Sequence, residues 1–228
     1  LAGCTSQGKL KRWYVQAVDA QRTGQLELAR RGYEQLLAED SGFEGANNNL
    51  AILQFRADKP AEGLSSLQKE LKLRPTLRAA RLNEVIALTV AKDKRAVARA
   101  QEFTAAHPKD GLGFLALGTA LAMTEASGSD VEAALAQAIQ LGPEPVTAQA
   151  LFQRAQVQAR QQEYAKAAAD FAAVSKLRRD ATAHYNRGLV LTRAGQYRAA
   201  VEALKLAAAL DPDAAAIAHA EALAQRLL

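Results

Sequence analysis

The chain has 228 residues, and its 29 lysines and arginines against 24 aspartates and glutamates give a formal charge of +5. Hydrophobic residues make up 49% and aromatic residues only 5%, with alanine at roughly a fifth, a composition that favours helices and opposes a β-rich fold. A single cysteine rules out an internal disulfide and, with only three histidines, leaves no zinc cluster of the usual four-ligand kind, and no run of eighteen apolar residues offers a bilayer span.

In chain order the first feature is Leu1-Ala2-Gly3-Cys4. The sequence does not start with methionine, which points to a longer precursor. This tetrapeptide holds the only cysteine and resembles the lipobox of bacterial lipoproteins. The resemblance implies that Cys4 carries a diacylglycerol and a further acyl chain such as palmitate, that residues 1–3 are signal-peptide remnant, and that residues 4–9 form a tether. Acyl chains contribute ~0.8 kcal/mol per buried methylene, so two or three on one cysteine make a lasting anchor. Thr5, where an aspartate would imply inner-membrane retention, implies the periplasmic face of the bacterial outer membrane. Six residues from Cys4 to Leu10 span at most ~20 Å when extended, which holds the following domain near the membrane. Residues 1–37 carry Lys9, Lys11, Arg12, Arg22, Arg30 and Arg31 against Asp19, Glu27 and Glu34. These bases fit either contact with anionic headgroups, about 1 kcal/mol each near the surface, or an ordinary solvated face.

Beyond the tether a period of 33 or 34 residues governs the chain. Trp13 to Asn47 is 34, while Leu67 to Ala100, Pro75 to Pro108, Ala155 to Gly188, Tyr164 to Tyr197 and Ala167 to Ala200 are each 33. Within each period apolar residues fall at helical spacing, with one break in the middle and another at the end. In the last copy a helix is expected over 183–193, a turn at Ala194-Gly195-Gln196, and a second helix to about Leu210 before Asp211-Pro212. Gly188 and Ala200 are small where two helices must approach, and Tyr197 can wedge between them.

The segment His184-Tyr-Asn-Arg-Gly-Leu-Val-Leu, followed by Gly195-Gln-Tyr-Arg-Ala-Ala and Leu210-Asp-Pro212, resembles the tetratricopeptide-repeat family, as does Trp13 with Gly24 and Ala29. The resemblance implies an all-α, right-handed superhelical solenoid of about six helix pairs over 10–214. The copies fall near 10–43, 44–76, 77–110, 111–147, 148–180 and 181–214. Residues 215–228 are expected as a capping helix that covers the last interface with Ile217, Leu223, Leu227 and Leu228. Three copies depart from the pattern: Glu84 replaces a small residue, the turn at Ser127-Gly128-Ser129 is expanded, and the fifth ends Arg178-Arg179-Asp180 without proline.

In such an array the first helix of each pair lines the concave side. One inward series is Tyr14, Asn48, Arg81, Leu115, Phe152 and Tyr185, and a turn later come Val18, Ile52, Val85, Thr119, Gln156 and Leu189. Phe55 and Leu88 extend an apolar strip beside Ile52 and Val85. A mixed aromatic and apolar groove of this kind suits an extended peptide or a partner helix, although the same spacing also fits packing between neighbouring repeats. A dicarboxylate clamp is not expected: Asn48, Asn49, Arg78 and Arg81 are present, but Tyr14 and Val18 stand where a lysine and an asparagine are needed.

Catalytic patterns fail on context. Ser66-Leu-Gln-Lys69 has acylating-pair spacing but lies in a second helix, and Gly111-Leu-Gly113 lacks a preceding strand and reads as an inter-repeat turn. His107, His184 and His219 are too far apart along a solenoid to converge. No enzyme activity, metal site or cofactor is expected beyond the acyl lipid on Cys4, and a pI near 9.4 without a recognition motif does not support nucleic-acid binding. Lipobox plus about six repeats resembles the pilotin family of type IV pilus systems, the Tgl and PilF type. That resemblance implies a monomeric adaptor whose groove holds a secretin subunit, or another envelope protein, until the ring assembles in the outer membrane. Lipoprotein scaffolds for tight-adherence pili, peptidoglycan enzymes or outer-membrane protein assembly share the same features, and a soluble co-chaperone-like adaptor would need the lipobox match to be accidental.

Overall fold

In the computed structural model, residues 2–124 and 127–228 are described, with side chains from residue 7 onward. They form thirteen helices and no strand: α1 (Ala2–Arg22), α2 (Leu26–Glu39), α3 (Ala46–Arg56), α4 (Pro60–Leu73), α5 (Arg78–Val90), α6 (Ala96–Ala106), α7 (Gly111–Met123), α8 (Gly128–Leu141), α9 (Glu144–Arg160), α10 (Tyr164–Leu177), α11 (Ala181–Arg193), α12 (Tyr197–Leu210) and α13 (Ala215–Arg226). The all-α repeat architecture expected from the 33–34-residue period is the one found. Residues 4–9 differ from an extended tether. They are helical, because α1 begins at Ala2 and runs through Gln7, Lys9, Leu10 and Lys11 without a proline. At 1.5 Å per residue those six residues span only about 9 Å.

The chain divides into two compact units, residues up to Arg99 and residues from Ala100 on. In the first, each helix packs on the next from α1 to α5, and α3 also packs on α5. Its core joins Ala17, Ala20, Ala29, Tyr33, Leu36, Ala46, Leu50 and Leu53 across α1–α3, and Ala51, Leu67, Leu71, Ala80 and Ala87 across α3–α5. In the second unit α7 to α13 pack in sequence, and the contacts of α7 with α9 and of α11 with α13 give the same pattern. Here Val131, Leu135, Ala138, Ala150 and Val157 form one core, and Phe171, Val190, Leu191, Ala200 and Leu204 lie at the heart of another.

The turn inside a pair uses one left-handed residue at a fixed place: Gly24, Asp58, Lys92, Gln162 and Gly195 all have φ between 52° and 78°. Glycine takes that conformation at no steric cost, whereas a β-carbon costs roughly 1–2 kcal/mol. Asp110 and Asp180 cap α7 and α11, each accepting two backbone N–H groups through one carboxylate oxygen. Gly111 and Gly113 are therefore the first turn of α7 rather than a loop. A β-carbon on Gly111 would lie 2.4 Å from the Gly142 nitrogen, and one on Gly113 would lie 2.5 Å from the Phe103 ring.

The last helix differs in detail from the expected cap. Ile217 is buried, but Ala220 and Ala224 complete the face of α13 that packs on α12 and α11. Leu223, Leu227 and Leu228 are exposed. The contact face continues at 217, 220 and 224, spacings of three and four residues, which leaves 223, 227 and 228 off it.

Candidate partner-binding grooves

In the first unit α3 and α5, the first helices of successive pairs, leave an open groove of about 450 Å³ between them. Its apolar wall is Ile52, Phe55, Ile86 and Val90, with Asn83 inside it and Arg56 and Asp58 at the end of α3. Ile86 is 43% exposed and Val90 is 74% exposed, an unusual allowance for adjoining aliphatic side chains. Phe55 is seated on Gly63, where a β-carbon would come 2.6 Å from the ring, so glycine in α4 fixes the position of the groove wall.

A chain of amide and phenol hydrogen bonds connects this groove to the helices before it. Asn83 donates to Asn48 Oδ1 at 2.8 Å, Asn48 donates to Asn49 Oδ1 at 3.2 Å, and Asn49 donates to the hydroxyl oxygens of Tyr14 and Tyr33 at 3.1 and 3.2 Å. Tyr33 in turn donates to Gln21 Oε1 at 2.9 Å. Burial pushes the Tyr33 phenol up to about 12, with the Tyr14 phenol adding to the rise and the Asn49 hydrogen bond opposing it. The network satisfies polar groups that packing removes from water and sets the spacing of α1, α2, α3 and α5.

The sequence-derived groove residues divide accordingly. Ile52 and Phe55 line the α3–α5 groove. Asn48 is buried in the amide chain, and Tyr14 packs on Tyr33 and Phe43 with ring centroids 6.0 and 5.2 Å away. Arg81 donates to the Pro75 carbonyl at 2.8 Å and pairs with Glu84. Val85 and Leu88 are 1% and 2% exposed and belong to the core, which corrects their placement on the groove. The missed residues are Asn83, Ile86 and Val90. The error is one of register: a step of 33 from Ile52 reaches Val85, whereas the packed step is 34 and reaches Ile86. One residue turns a side chain by about 100° around a helix, enough to exchange groove for core. The packed step shows in the turns, where the left-handed residues Asp58 and Lys92 are 34 apart.

In the second unit the first-helix residues mostly pack. Leu115 sits on the Val131–Leu135 core, and Tyr185 and Leu189 pack on the core around Phe171 and Leu204. Phe152 meets Phe171 edge-on at 5.4 Å, with the Arg178 guanidinium 5.9 Å from its ring centre. Thr119 donates to Gln153 Oε1 at 3.0 Å. Leu189 also borders a smaller open recess of about 250 Å³ between α9 and α11, together with Gln156, Arg160, Asn186 and Arg193.

The Cys4 side chain lies outside the described residues. Ser66 is buried and donates to Gln54 Oε1 at 2.8 Å, while Lys69 is exposed, so the pair is not assembled for acyl transfer. His184 is held below its ordinary value of 6.5, by burial first and then by the neighbouring Arg187. Among the described residues no three metal-ligating side chains converge, and no helix is long and apolar enough to cross a membrane.

With this geometry in place, comparison with known proteins identifies the architecture. Residues 181–214 match a family model described as tetratricopeptide repeat, and residues 129–178 match a second with the same description. YrrB, described as a TPR protein with an unusual peptide-binding site, is 23% identical, with a TM-score of 0.63 over 83% of this chain and 97% of YrrB. The fold is the tetratricopeptide-repeat fold. PilW, described as a widely conserved type IV pilus biogenesis factor, superimposes with a TM-score of 0.82 over 92% of this chain and 97% of its own, at 16% identity. PilF of Pseudomonas aeruginosa gives a TM-score of 0.76 over 95% of this chain and 98% of its own, at 14% identity. No curated protein sequence matches the chain significantly.

Proposed function

We propose that this tetratricopeptide-repeat chain is a lipid-anchored scaffold that seats an apolar segment of a polypeptide partner in its α3–α5 groove. We assign it the role of a pilotin, with a type IV pilus secretin subunit as the partner. The observation that carries the scaffold reading is the groove itself: Ile86 and Val90, with the half-buried Ile52 and Phe55 beside them, present an apolar wall that no described residue of the first unit covers. Burying a branched aliphatic side chain contributes ~1.5–3 kcal/mol, so Ile86 and Val90 alone supply anchor energy, and Asn83 provides an amide to fix register. The likeness to PilW and PilF over nearly the full length of all three chains supports the pilus assignment. Leu-Ala-Gly-Cys4 supports the acyl anchor.

The physical role follows from these parts. Acyl chains on Cys4 confine the scaffold and its cargo to one membrane surface, which reduces the partner's search to two dimensions. The groove covers apolar surface on the secretin subunit until neighbouring subunits cover it instead. Outer-membrane fractions of a strain lacking the protein should lose secretin multimers and surface pili. Multimers and piliation that persist unchanged overturn the pilotin assignment. Acyl labelling that is present in the wild type and absent in Cys4→Ala supports the anchor, and equal labelling removes it.

A further inference from the structure

The α9–α11 recess lies wholly within the second unit and has a chemistry opposite to that of the α3–α5 groove. Two guanidiniums border it, Arg160 and Arg193, the last residues of α9 and α11 and 33 positions apart, so repeat geometry places them at equivalent ends of neighbouring first helices. Both are exposed, and among the described residues neither has a carboxylate partner. Among the described residues no carboxylate lines the recess. The nearby acids have other partners: Asp170 holds Arg154 through two hydrogen bonds of 2.7 and 2.8 Å, Glu163 holds Lys166, and Asp180 caps α11 and pairs with Arg178. Between the arginines the apolar surface is that of the half-buried Ala159 and Leu189, with Phe171 and Val190 buried behind them. Among the described residues the Gln156 side chain has no hydrogen-bond partner, and Asn186 donates to the Thr182 carbonyl at 2.9 Å, which leaves its own carbonyl oxygen open.

We propose that the α9–α11 recess is a second binding site, one that takes an acidic side chain adjacent to an apolar side chain within a polypeptide partner. Guanidinium forks match a carboxylate with paired, charge-assisted hydrogen bonds, and two of them beside the half-exposed Leu189 and Ala159 select that combination. A helix C-terminus favours a cation by itself, which accounts for an arginine on each helix. It does not account for an open recess that also carries a free glutamine amide. The volume of about 250 Å³ suits one or two side chains, so the site recognises a short motif rather than a folded surface. The assignment is independent of the α3–α5 groove.

The test uses the full chain and a hexapeptide containing Glu-Leu, blocked at both ends, with a Gln-Leu counterpart and a Gln-Leu peptide bearing a free C-terminal carboxylate. Amide shifts in an NMR titration should move on α9 and α11, and affinity should fall with added salt. The R160Q/R193Q double variant, shown to be folded by circular dichroism, should bind the Glu-Leu peptide at least about tenfold more weakly. R160K/R193K should fall between that variant and the wild type, and Ile86→Asp should bind as the wild type does. Equal binding of the blocked Glu-Leu and Gln-Leu peptides overturns the proposal, as does full affinity in the double variant. Binding confined to the free-carboxylate peptide also overturns it and gives the recess to chain termini.

Discussion

Adjacent residues on α5 give the sharpest test of how the first unit is built. Val85 is 1% exposed and Ile86 is 43% exposed, although both are β-branched aliphatic residues one position apart. Truncating Val85 to alanine removes two methyl groups from a packed site, a transfer loss of ~1.6 kcal/mol at ~0.8 per carbon. A residual cavity of roughly 50 Å³ adds about 1.2 kcal/mol at ~24 cal/mol per Å³, for a total near 3 kcal/mol. At about 2–4 °C per kcal/mol for a chain of this length, Val85→Ala should lower the melting midpoint by some 6–12 °C. Ile86→Ala removes atoms that already face water on one side, and the midpoint should fall by no more than about a third of that. Binding reverses the order. A folded Ile86→Ala protein should lose affinity for the groove's partner by about tenfold, since ~1–2 kcal/mol of apolar burial is forfeited on complex formation. Thermal unfolding by circular dichroism and capture of the partner on immobilised protein read the two effects separately. If Ile86→Ala destabilises as much as Val85→Ala, the assignment of groove and core on α5 is wrong.

Three further substitutions probe the repeat geometry and its ionisation. A β-carbon on Gly188 would lie 2.5 Å from Cγ of the fully buried Leu204, so Gly188→Ala should cost ~1–3 kcal/mol in denaturant unfolding, and a neutral result would contradict the close approach of α11 and α12. Gln162 holds φ of 65° in an exposed turn where Gly24 and Gly195 hold the same place in other pairs. Gln162→Gly should therefore raise stability by up to ~1 kcal/mol, and a loss would show that the side chain compensates for its strain. His184 has a pKa depressed below 6.5, with burial the larger cause, so the folded state disfavours its protonation. The stability it contributes is present above pH 6.5 and falls away as the pH drops through that value toward the lower folded one. Melting midpoints between about pH 7.5 and 5 should show a shallower acid decline in His184→Gln, and parallel curves would remove His184 from the pH response.

The period, the helix pairs and the small residues at close approaches were legible in the sequence because they depend on spacing and size. Gly188 and Ala200 announce the contact between α11 and α12 by having nothing to put there, and Gly24 and Gly195 announce the left-handed turns. Which wall of a helix faces open space was not legible, because that depends on register to within a single residue. Pro75 to Pro108 suggests a step of 33, yet the step that seats α5 against α3 is 34, and the difference moved the inferred groove from Ile86 to Val85. Arg160 and Arg193 were equally hidden. Their spacing of 33 resembles that of many pairs in the chain, and their meaning arises only once Gln156 and Leu189 are seen to leave a recess between them.

Alanine usage explains why a chain so poor in aromatics still exposes apolar surface. In α5 the helix contacts α3 and α4 partly through Ala80 and Ala87, and small residues there let the helices come close without consuming large side chains. Ile86 and Val90 are then surplus to the core of the first unit, and their neighbours Ala87 and Ala91 are too short to cover them. A helix stabilised only by its own packing would carry polar residues at those two positions, as it does at Asn83 and Glu84. The exposed aliphatics keep a standing cost in water that internal contacts do not return. Substituting both by glutamine should therefore leave the fold as stable as before, within ~1 kcal/mol, while abolishing capture of the partner. A marked loss of stability in that double variant would place Ile86 and Val90 in the structural core and leave the groove without a function.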